Sequence, residues 1–473
     1  MRVPPGSEMI RFFRHYIPAN ILLLAAIEII ILVVSVYLGV SARFIDSGLV
    51  IPGSIEPLFP KAVVFAVVMA AIITGFGLYS WEGMEGVWSM VLRMLASFLV
   101  GFVVMSQLFY LFPILFLGRG VFAITLGAAL MGIILARTLY FKWSNLEALK
   151  RRVLVLGTGS RAAKIEAMLK ANPGAHRLHI VGYLPLQGTH HYVEHARVLL
   201  NGETIIDAVE KHNIDEIVIA VRDRRSGGLP VAELLACKLR GVKVIELSTF
   251  FERENGQLQL ESLNASWMIF SEGFQLGLVR DTVKRSFDLT ASVVLLTLTL
   301  PLMLITALAI YFNSGGPILY RQERVGAHGK AFTILKFRSM TTDAERDGTP
   351  QWAQQNDDRT TRIGRIIRKL RIDELPQVFN VFMGDMSFVG PRPERPFFVE
   401  TLAKEIPYYE SRHSVKPGIT GWAQVRYAYG ASVEDAVEKL QYDLYYVKNH
   451  SLFLDLMILF QTGQVVLLGK GAR

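Results

Sequence analysis

Four long apolar runs crowd the first third of this chain, Ile17–Val40, Ala62–Tyr79, Leu95–Leu117 and Val121–Phe141. Each approaches the ~20 residues that a helix needs to cross a bilayer. The last two are separated only by Gly118-Arg119-Gly120, which reads as a tight hairpin. Arg11 and Arg14 precede the first run, and Lys142, Lys150, Arg151 and Arg152 follow the fourth. The positive-inside bias therefore puts both ends in the cytoplasm, as four crossings require, and the reading is of an inner-membrane protein. Glu28 lies inside the first run. An intramembrane acid is a functional candidate by default, and the plainer alternative is a carboxylate paired with a neighbouring helix.

At 473 residues and 51% hydrophobic content the chain has room for two or three units, one of them membrane-embedded. A net charge of +9 suits anionic lipid head groups or phosphorylated substrates. Nucleic acid is disfavoured, because the sequence carries apolar segments of this length and no nucleic-acid motif. The single cysteine, Cys237, excludes an internal disulfide framework and a cysteine-based zinc site. No small-residue cleavage site follows the first apolar run, so no cleavable signal peptide is expected.

From 150 to 250 the pattern becomes α/β. Strands are expected at Arg152–Gly157, Ile180–Tyr183, Glu216–Val221 and Lys243–Leu247, with helices at Ala163–Lys170, Glu203–Lys211 and Pro230–Arg240. Such alternation predicts a small, Rossmann-like parallel domain. Its Gly157-x-Gly159-x-x-Ala162 turn is similar to a dinucleotide fingerprint. The second strand, however, ends Tyr183-Leu184-Pro185-Leu186-Gln187, with no acid to hold a ribose, so bound NAD is not expected. His190, His191 and His195 lie in a polar loop without an ordered ligand set and read as solvated.

A linker over 251–279 leads to a third unit, 280–473. Leu289–Phe312 offers 24 uncharged residues, flanked by Lys284 and Arg285 before and by Arg321, Arg324 and Lys330 after. Basic residues at both ends place both ends on one side, and Pro301 removes a backbone hydrogen bond mid-segment. The expectation is a re-entrant helix, 284–312, that breaks at Pro301 and returns to the cytoplasmic face.

Ile363, Ile366, Ile367 and Leu370 fall at i, i+3, i+4 and i+7, with Arg362, Arg365, Arg368, Lys369 and Arg371 around them. This reads as a basic amphipathic helix at a membrane surface. Two adjacent carboxylates, Asp373 and Glu374, close it. Adjacent helical residues point about 100° apart, so the pair does not act as two facing acids. One can attack phosphorus or bind a metal while the other orients it. Nearby cations are expected to keep Asp373 ionised.

The run Lys336-Phe337-Arg338-Ser339-Met340, Asp373-Glu374-Leu375-Pro376-Gln377 through Asn380, Gly384-Asp385 through Gly390-Pro391-Arg392-Pro393, and Lys416-Pro417-Gly418 through Gln424-Val425 resembles the catalytic domain of the bacterial polyprenyl-phosphate glycosyl-1-phosphate transferases. The helices and α/β domain in front resemble the larger members of that family. Val425-Arg426-Tyr427 and the ending Gly469 to Arg473 look closest to the exopolysaccharide sugar transferases.

The resemblance implies a sugar-1-phosphate transfer from a UDP-sugar to undecaprenyl phosphate, with UMP released. By position it makes Asp373 the nucleophile and Glu374 its dyad partner, and puts Mg²⁺ at Asp373. Arg392 and Arg426 would meet the phosphates, with Lys336 and Arg338 nearby, and the nucleotide would lean on Pro417–Gln424, including Gln424. Many members carry Ser-Pro at the helix break. Here it is Leu300-Pro301, so Thr297 or Thr299 would supply any hydroxyl. Segments of this size commonly form homodimers. The rival reading is a membrane-anchored nucleotide-sugar oxidoreductase or epimerase using the Gly157 turn, but no Tyr-x-x-x-Lys pair follows that turn before residue 250.

Overall fold

The computed structural model describes residues 9–12, 15–45, 56–79, 87–144, 150–171, 178–186, 192–193, 198, 204–221, 229–263, 268, 273–274, 277–341, 359–427, 430 and 432–468. His190, His191, His195 and the ending from Gly469 lie outside these residues. The chain divides into two compact units, one running to Glu254 and one from Asn255 that also takes in His15.

In the first unit the apolar runs become the helices Ala19–Phe44, Leu58–Gly75, Val87–Leu111 and Arg119–Ser144. All four are among the five helices in the described residues that are long and apolar enough to cross a membrane. Their shared core includes Leu32, Val36, Phe65, Met69, Ile73 and Ile133. The link between the third and fourth is longer than the Gly118–Gly120 hairpin read from sequence. Pro113 opens a 3-10 turn over Pro113–Leu115, having no N–H with which to continue the helix. Glu28 has the plainer of its two readings. It is completely buried, with Arg137 Nε 2.7 Å from one carboxylate oxygen, and the Tyr79 hydroxyl donates to the other at 2.5 Å. Arg137 also donates to Leu78 O at 2.8 Å. A charge of each sign is thereby neutralised where neither is solvated.

The α/β part is a four-stranded, all-parallel sheet in the order Leu178–Leu184, Arg151–Leu156, Glu216–Ile219, Lys243–Glu246. One core, with Val153, Val155, Ile165, Val218 and Phe250, fills one face. Another, with Leu154, Leu156, Val209, Ile217 and Cys237, fills the other. Burial on both faces is why these strands read as nearly continuous apolar runs. Gly157 takes φ +114, and its N–H donates to Leu184 O at 2.8 Å. The opposite, N-terminal edge carries a buried network in which Arg151 and Arg253 both grip Glu216 and Glu254. Arg253 and Glu254 belong to the helix Leu247–Asn255, whose Phe250 and Phe251 close the sheet core, so this domain extends past residue 250.

The stretch expected as a linker is packed into the second unit. Leu258 and Leu263 are buried in its core, Gly256 O accepts from Trp422 Nε1 at 2.8 Å, and Gln257 Nε2 donates to Glu438. His15 Nδ1 lies 2.7 Å from the Tyr445 hydroxyl.

The segment around Pro301 forms one helix, Leu278–Ser314, in 37 residues. The sequence predicts a break at Pro301, whereas the helix runs through it. Thr297 and Thr299 donate to Val293 O and Leu295 O, one turn back. Neither hydroxyl serves Thr297 O, the carbonyl that Pro301 leaves without its usual donor. A single buried stripe, Asp288, Ser292, Met303, Thr306 and Ile310, runs along both halves. Behind this helix sit the hairpin Leu319–Val325 with Ala331–Phe337, the helices Arg362–Lys369 and Gln377–Met383, and two short parallel strands, Ser387–Val389 and Gly418–Thr420. The apolar face of Arg362–Lys369 is split. Ile363 and Ile367 pack inward with Phe337, Met303 and Ile310, while Ile366 and Leu370 are exposed.

Candidate active site

The acidic pair sits on a 3-10 turn, Ile372–Glu374, entered through Arg371 in the left-handed region at φ 58. A long side chain rarely adopts that conformation. Here it is held on both sides, because Ile367 before it and Ile372 and Leu375 after it pack into one apolar cluster. The following helix, Gln377–Met383, is tied to the strand Ala331–Phe337 by Asn380. Its Oδ1 accepts from Leu335 N–H at 3.0 Å and its Nδ2 donates to Thr333 O at 2.8 Å. That clamp brings Lys336, the next residue on the strand, over the turn.

Lys336 Nζ donates to Glu374 Oε1 at 3.0 Å, and Arg392 Nη2 reaches the same oxygen at 3.3 Å. Asp373, its immediate neighbour, has no such company. Its Oδ1 is buried without a hydrogen-bond partner. The two carboxylates are therefore driven apart. Burial, then the Glu374 charge, push Asp373 up to about 6, against the pull of Lys336, Arg371 and Arg368. Burial also opposes the charge on Glu374, but Lys336, Arg392 and Arg371 outweigh it and hold that carboxyl well below the usual range. Burial lowers Lys336 in turn. Nearby cations do favour the charged form of Asp373, as expected, but burial and the Glu374 charge outweigh them, because Lys336 and Arg392 bond to Glu374. Divergent environments for paired acids are the mark of a division of chemical labour.

A buried, unpartnered carboxylate oxygen fits a metal or a reacting phosphorus, either of which would satisfy it. Among the described residues no three His, Cys, Asp or Glu side chains converge on one point. Mg²⁺ commonly binds through one or two carboxylates plus substrate phosphates, so Asp373 fits as such a ligand.

The other sequence-predicted residues divide. Arg392 joins the dyad. Arg338 does not, although the sequence groups it with the phosphate-binding cations. It is buried, and its guanidinium donates to the carbonyls of Ser314, Gly315 and Gly316 and to Ser314 Oγ at 2.7–2.9 Å. It caps the C-terminal end of the long apolar helix, where four carbonyls lack intrahelical partners. Arg426 lies over the Trp422 ring, 4.4 Å from its centroid, with its charge acting on Tyr442, and Gln424 Nε2 donates to Ile419 O at 3.4 Å. Gln424 Oε1 is buried without a partner. Pro301 belongs to the helix, as described above.

The motif Gly390-Pro391 and its counterpart Pro417-Gly418 owe their glycines to backbone contact. A Cβ on Gly390 would strike Lys416 O, and one on Gly418 would strike Gly390 N. This close approach holds the loop that carries Arg392. Arg412 and Asp443, buried and 2.7 Å apart, lie outside the site residues that the sequence suggests. Thirty-one residues separate them; Asp443 falls in the family-like stretch Tyr442-Asp443-Leu-Tyr-Tyr446, but nothing local to either residue pairs it with the other.

The family model for bacterial sugar transferases matches residues 279–469, and one described as a CoA-binding domain matches residues 74–226. A UDP-N-acetylgalactosamine-undecaprenyl-phosphate N-acetylgalactosaminephosphotransferase of Aeromonas hydrophila is 43% identical over 264 residues, 55% of this chain and 60% of that protein. An undecaprenyl-phosphate glucose phosphotransferase of Komagataeibacter xylinus is 46% identical over 184 residues, covering 38% of this chain and 35% of that protein. The matched stretch thus spans between about a third and three fifths of these relatives. An uncharacterized sugar transferase of Bacillus subtilis, EpsL, is 44% identical over 195 residues, which are 40% of this chain and 90% of that protein. With the dyad, its cations and this coverage together, the chain belongs to the bacterial sugar transferases, the polyprenyl-phosphate glycosyl-1-phosphate transferase family.

Proposed function

We propose that this protein moves a sugar-1-phosphate from a UDP-sugar to undecaprenyl phosphate at the bacterial inner membrane, initiating exopolysaccharide or O-antigen assembly. The observation that carries this reading is the asymmetry of the dyad. Asp373 has a free buried oxygen, while Glu374 is committed to Lys336 and Arg392. In the first half-reaction a carboxylate oxygen of Asp373 bonds to the β-phosphorus. The bond to the oxygen bridging the α-phosphate breaks, and that oxygen leaves with UMP. In the second, a phosphate oxygen of the lipid attacks the same phosphorus, and Asp373 departs as carboxylate. The product is a polyprenyl diphosphate-linked sugar. Splitting one displacement into two is what a carboxylate nucleophile offers. Arg392, already aimed at Glu374, would take up the diphosphate charge as the donor enters. Mg²⁺ held at Asp373 would supply further neutralisation of the diphosphate oxygens.

The long helix is read here as re-entrant, with the catalytic unit on the cytoplasmic face. Both its ends are bonded to that one unit. Lys284 Nζ is 2.6 Å from Asp455 and Arg285 donates to Val381 O and Phe382 O, while Arg338 caps the far end. A helix crossing ~30 Å of hydrocarbon would carry its two ends to opposite faces. The exposed side, with Leu298, Leu304, Ile305, Leu308 and Phe312, suits lipid.

UMP release with a panel of UDP-sugars tests the reading. A preferred sugar should release UMP catalytically only when undecaprenyl phosphate is present, with at most one equivalent per enzyme in its absence. No UMP from any donor would reject it.

A further inference from the structure

Four consecutive carbonyls, those of Pro391, Arg392, Pro393 and Glu394, each accept a hydrogen bond from a different part of the second unit. Gly418 N–H donates to Pro391 O at 3.0 Å, and Val325 N–H donates to Glu394 O at 2.9 Å. Arg412 Nη2 donates to Arg392 O at 3.0 Å, and Arg324 Nη1 donates to Pro393 O at 3.0 Å. Two prolines fix φ on either side of Arg392. The backbone of this loop is pinned along its length, and the Arg392 side chain projects from it onto Glu374.

Two of the four donors are arginine side chains, and Pro391 and Pro393 of the loop that they hold are buried. Arg412 is 6% exposed. It also donates to Asp443 Oδ2 at 2.7 Å and to the Tyr409 hydroxyl at 2.8 Å, and it lies over the Tyr409 ring. A buried ion pair is weak evidence for stability, because desolvation offsets much of the attraction. Its aim therefore calls for another account. Arg324 is steered by Gln322 Oε1 at 2.6 Å and by the Glu394 carboxylate at 3.7 Å. Beside Arg412 lies a cavity of about 40 Å³, lined in part by Glu394, Tyr409, Lys439 and Asp443. That is room for about one water. The loop thus rests on Arg412 along this side, and shortening that side chain enlarges the gap beneath it.

We infer that Arg412, held by Asp443, and Arg324 are positioning residues that lock the Pro391–Glu394 backbone so that the Arg392 guanidinium meets the donor diphosphate beside Glu374. This rests on the reading of Arg392 as a phosphate-binding cation. Neither arginine touches the reacting atoms; each acts through the carbonyl it holds. A displacement of about 1 Å in a group of this kind costs about 10²-fold in rate.

The test is a double-mutant cycle in the full-length protein, with UMP release measured for the UDP-sugar that the panel prefers. Arg412→Lys and Arg324→Gln should each lower kcat/KM at least about tenfold. Added to Arg392→Ala, either should change kcat/KM by less than about twofold, because the group it positions is already gone. Losses that multiply on the Arg392→Ala background, or single variants with wild-type kcat/KM, overturn the proposal. Should Arg412→Lys fail a thermal-melting check, the cycle with Arg324→Gln, at the less buried of the two arginines, decides alone. Arg392→Ala with wild-type turnover is a separate outcome. It removes the phosphate-binding reading of Arg392 itself, and the inference with it.

Discussion

Lys336 Nζ sits 3.0 Å from Glu374 Oε1, although 38 residues separate them, and this contact makes the two carboxylates of the acidic pair unequal. By taking up the charge of Glu374 it leaves the adjacent Asp373 as the group with spare bonding capacity. It also couples the strand Ala331–Phe337 to the dyad, so the basic side chain cannot move without the acid.

Asp373→Asn should reduce turnover by at least about 10³-fold and abolish the covalent sugar-phosphate adduct, since an amide is not a nucleophile at phosphorus. Glu374→Gln should cost about 10²-fold while leaving a trace of adduct. Radiolabelled donor followed by acid quench reads both. Adduct formed normally by Asp373→Asn would reject the assignment.

With Asp373 raised to about 6, kcat/KM should fall as pH drops through that value, because only the ionised carboxylate attacks. Lys336→Met removes a charge that pulls this carboxyl down, so the acid limb should move to higher pH. A limb that stays near 4 in both proteins would contradict the burial argument.

The same shift has a stability consequence of known sign. The folded value lies above the ordinary 3.8, so the Asp373 charge opposes folding, fully above about pH 6 and not at all below about 3.8. Asp373→Asn should therefore be more stable at pH 7.5, by on the order of 2 kcal/mol, and the gain should vanish near pH 4. Thermal melts at the two pH values measure it.

Arg338→Gln should behave as a lost helix cap and not as a lost substrate contact. About 2 kcal/mol of stability should go, with donor KM changed less than about twofold. A large rise in KM without a change in melting would restore the substrate role that the sequence suggests.

Cysteines placed at positions 281 and 316 of a Cys237→Ser protein should react with an impermeant reagent only after the inner membrane is opened. Labelling of the 316 site from outside would mean that the helix spans. A chain beginning at Asn255 should fold more stably than one beginning at Leu278. The shorter chain loses the burial of Leu258 and Leu263 and the Gly256 acceptor of Trp422. Both should work without NAD.

What the sequence determines by itself is what depends on neighbours along the chain. Apolar length announces the helices. Continuous apolar strands alternating with amphipathic helices announce the parallel sheet, because both faces of such a sheet are covered. Asp373-Glu374 beside a basic helix marks the acidic pair on which the proposed function rests. Tertiary structure decides what depends on partners distant in sequence. Glu28 finds Arg137 across 109 residues. Arg338, to the eye another phosphate-binding cation, spends its donors on a helix end. The helical path through Pro301 is held by a stripe of contacts that no window of sequence reveals. The Asp373 carboxyl rises despite its cationic neighbours, because burial and an adjacent charge act over a few ångströms of space. Arg412 and Arg324 converge on neighbouring carbonyls only once the chain has closed around the Arg392 loop. Local pattern encodes which groups are present; the folded geometry sets the distances, and charge and hydrogen-bond energies depend on distance.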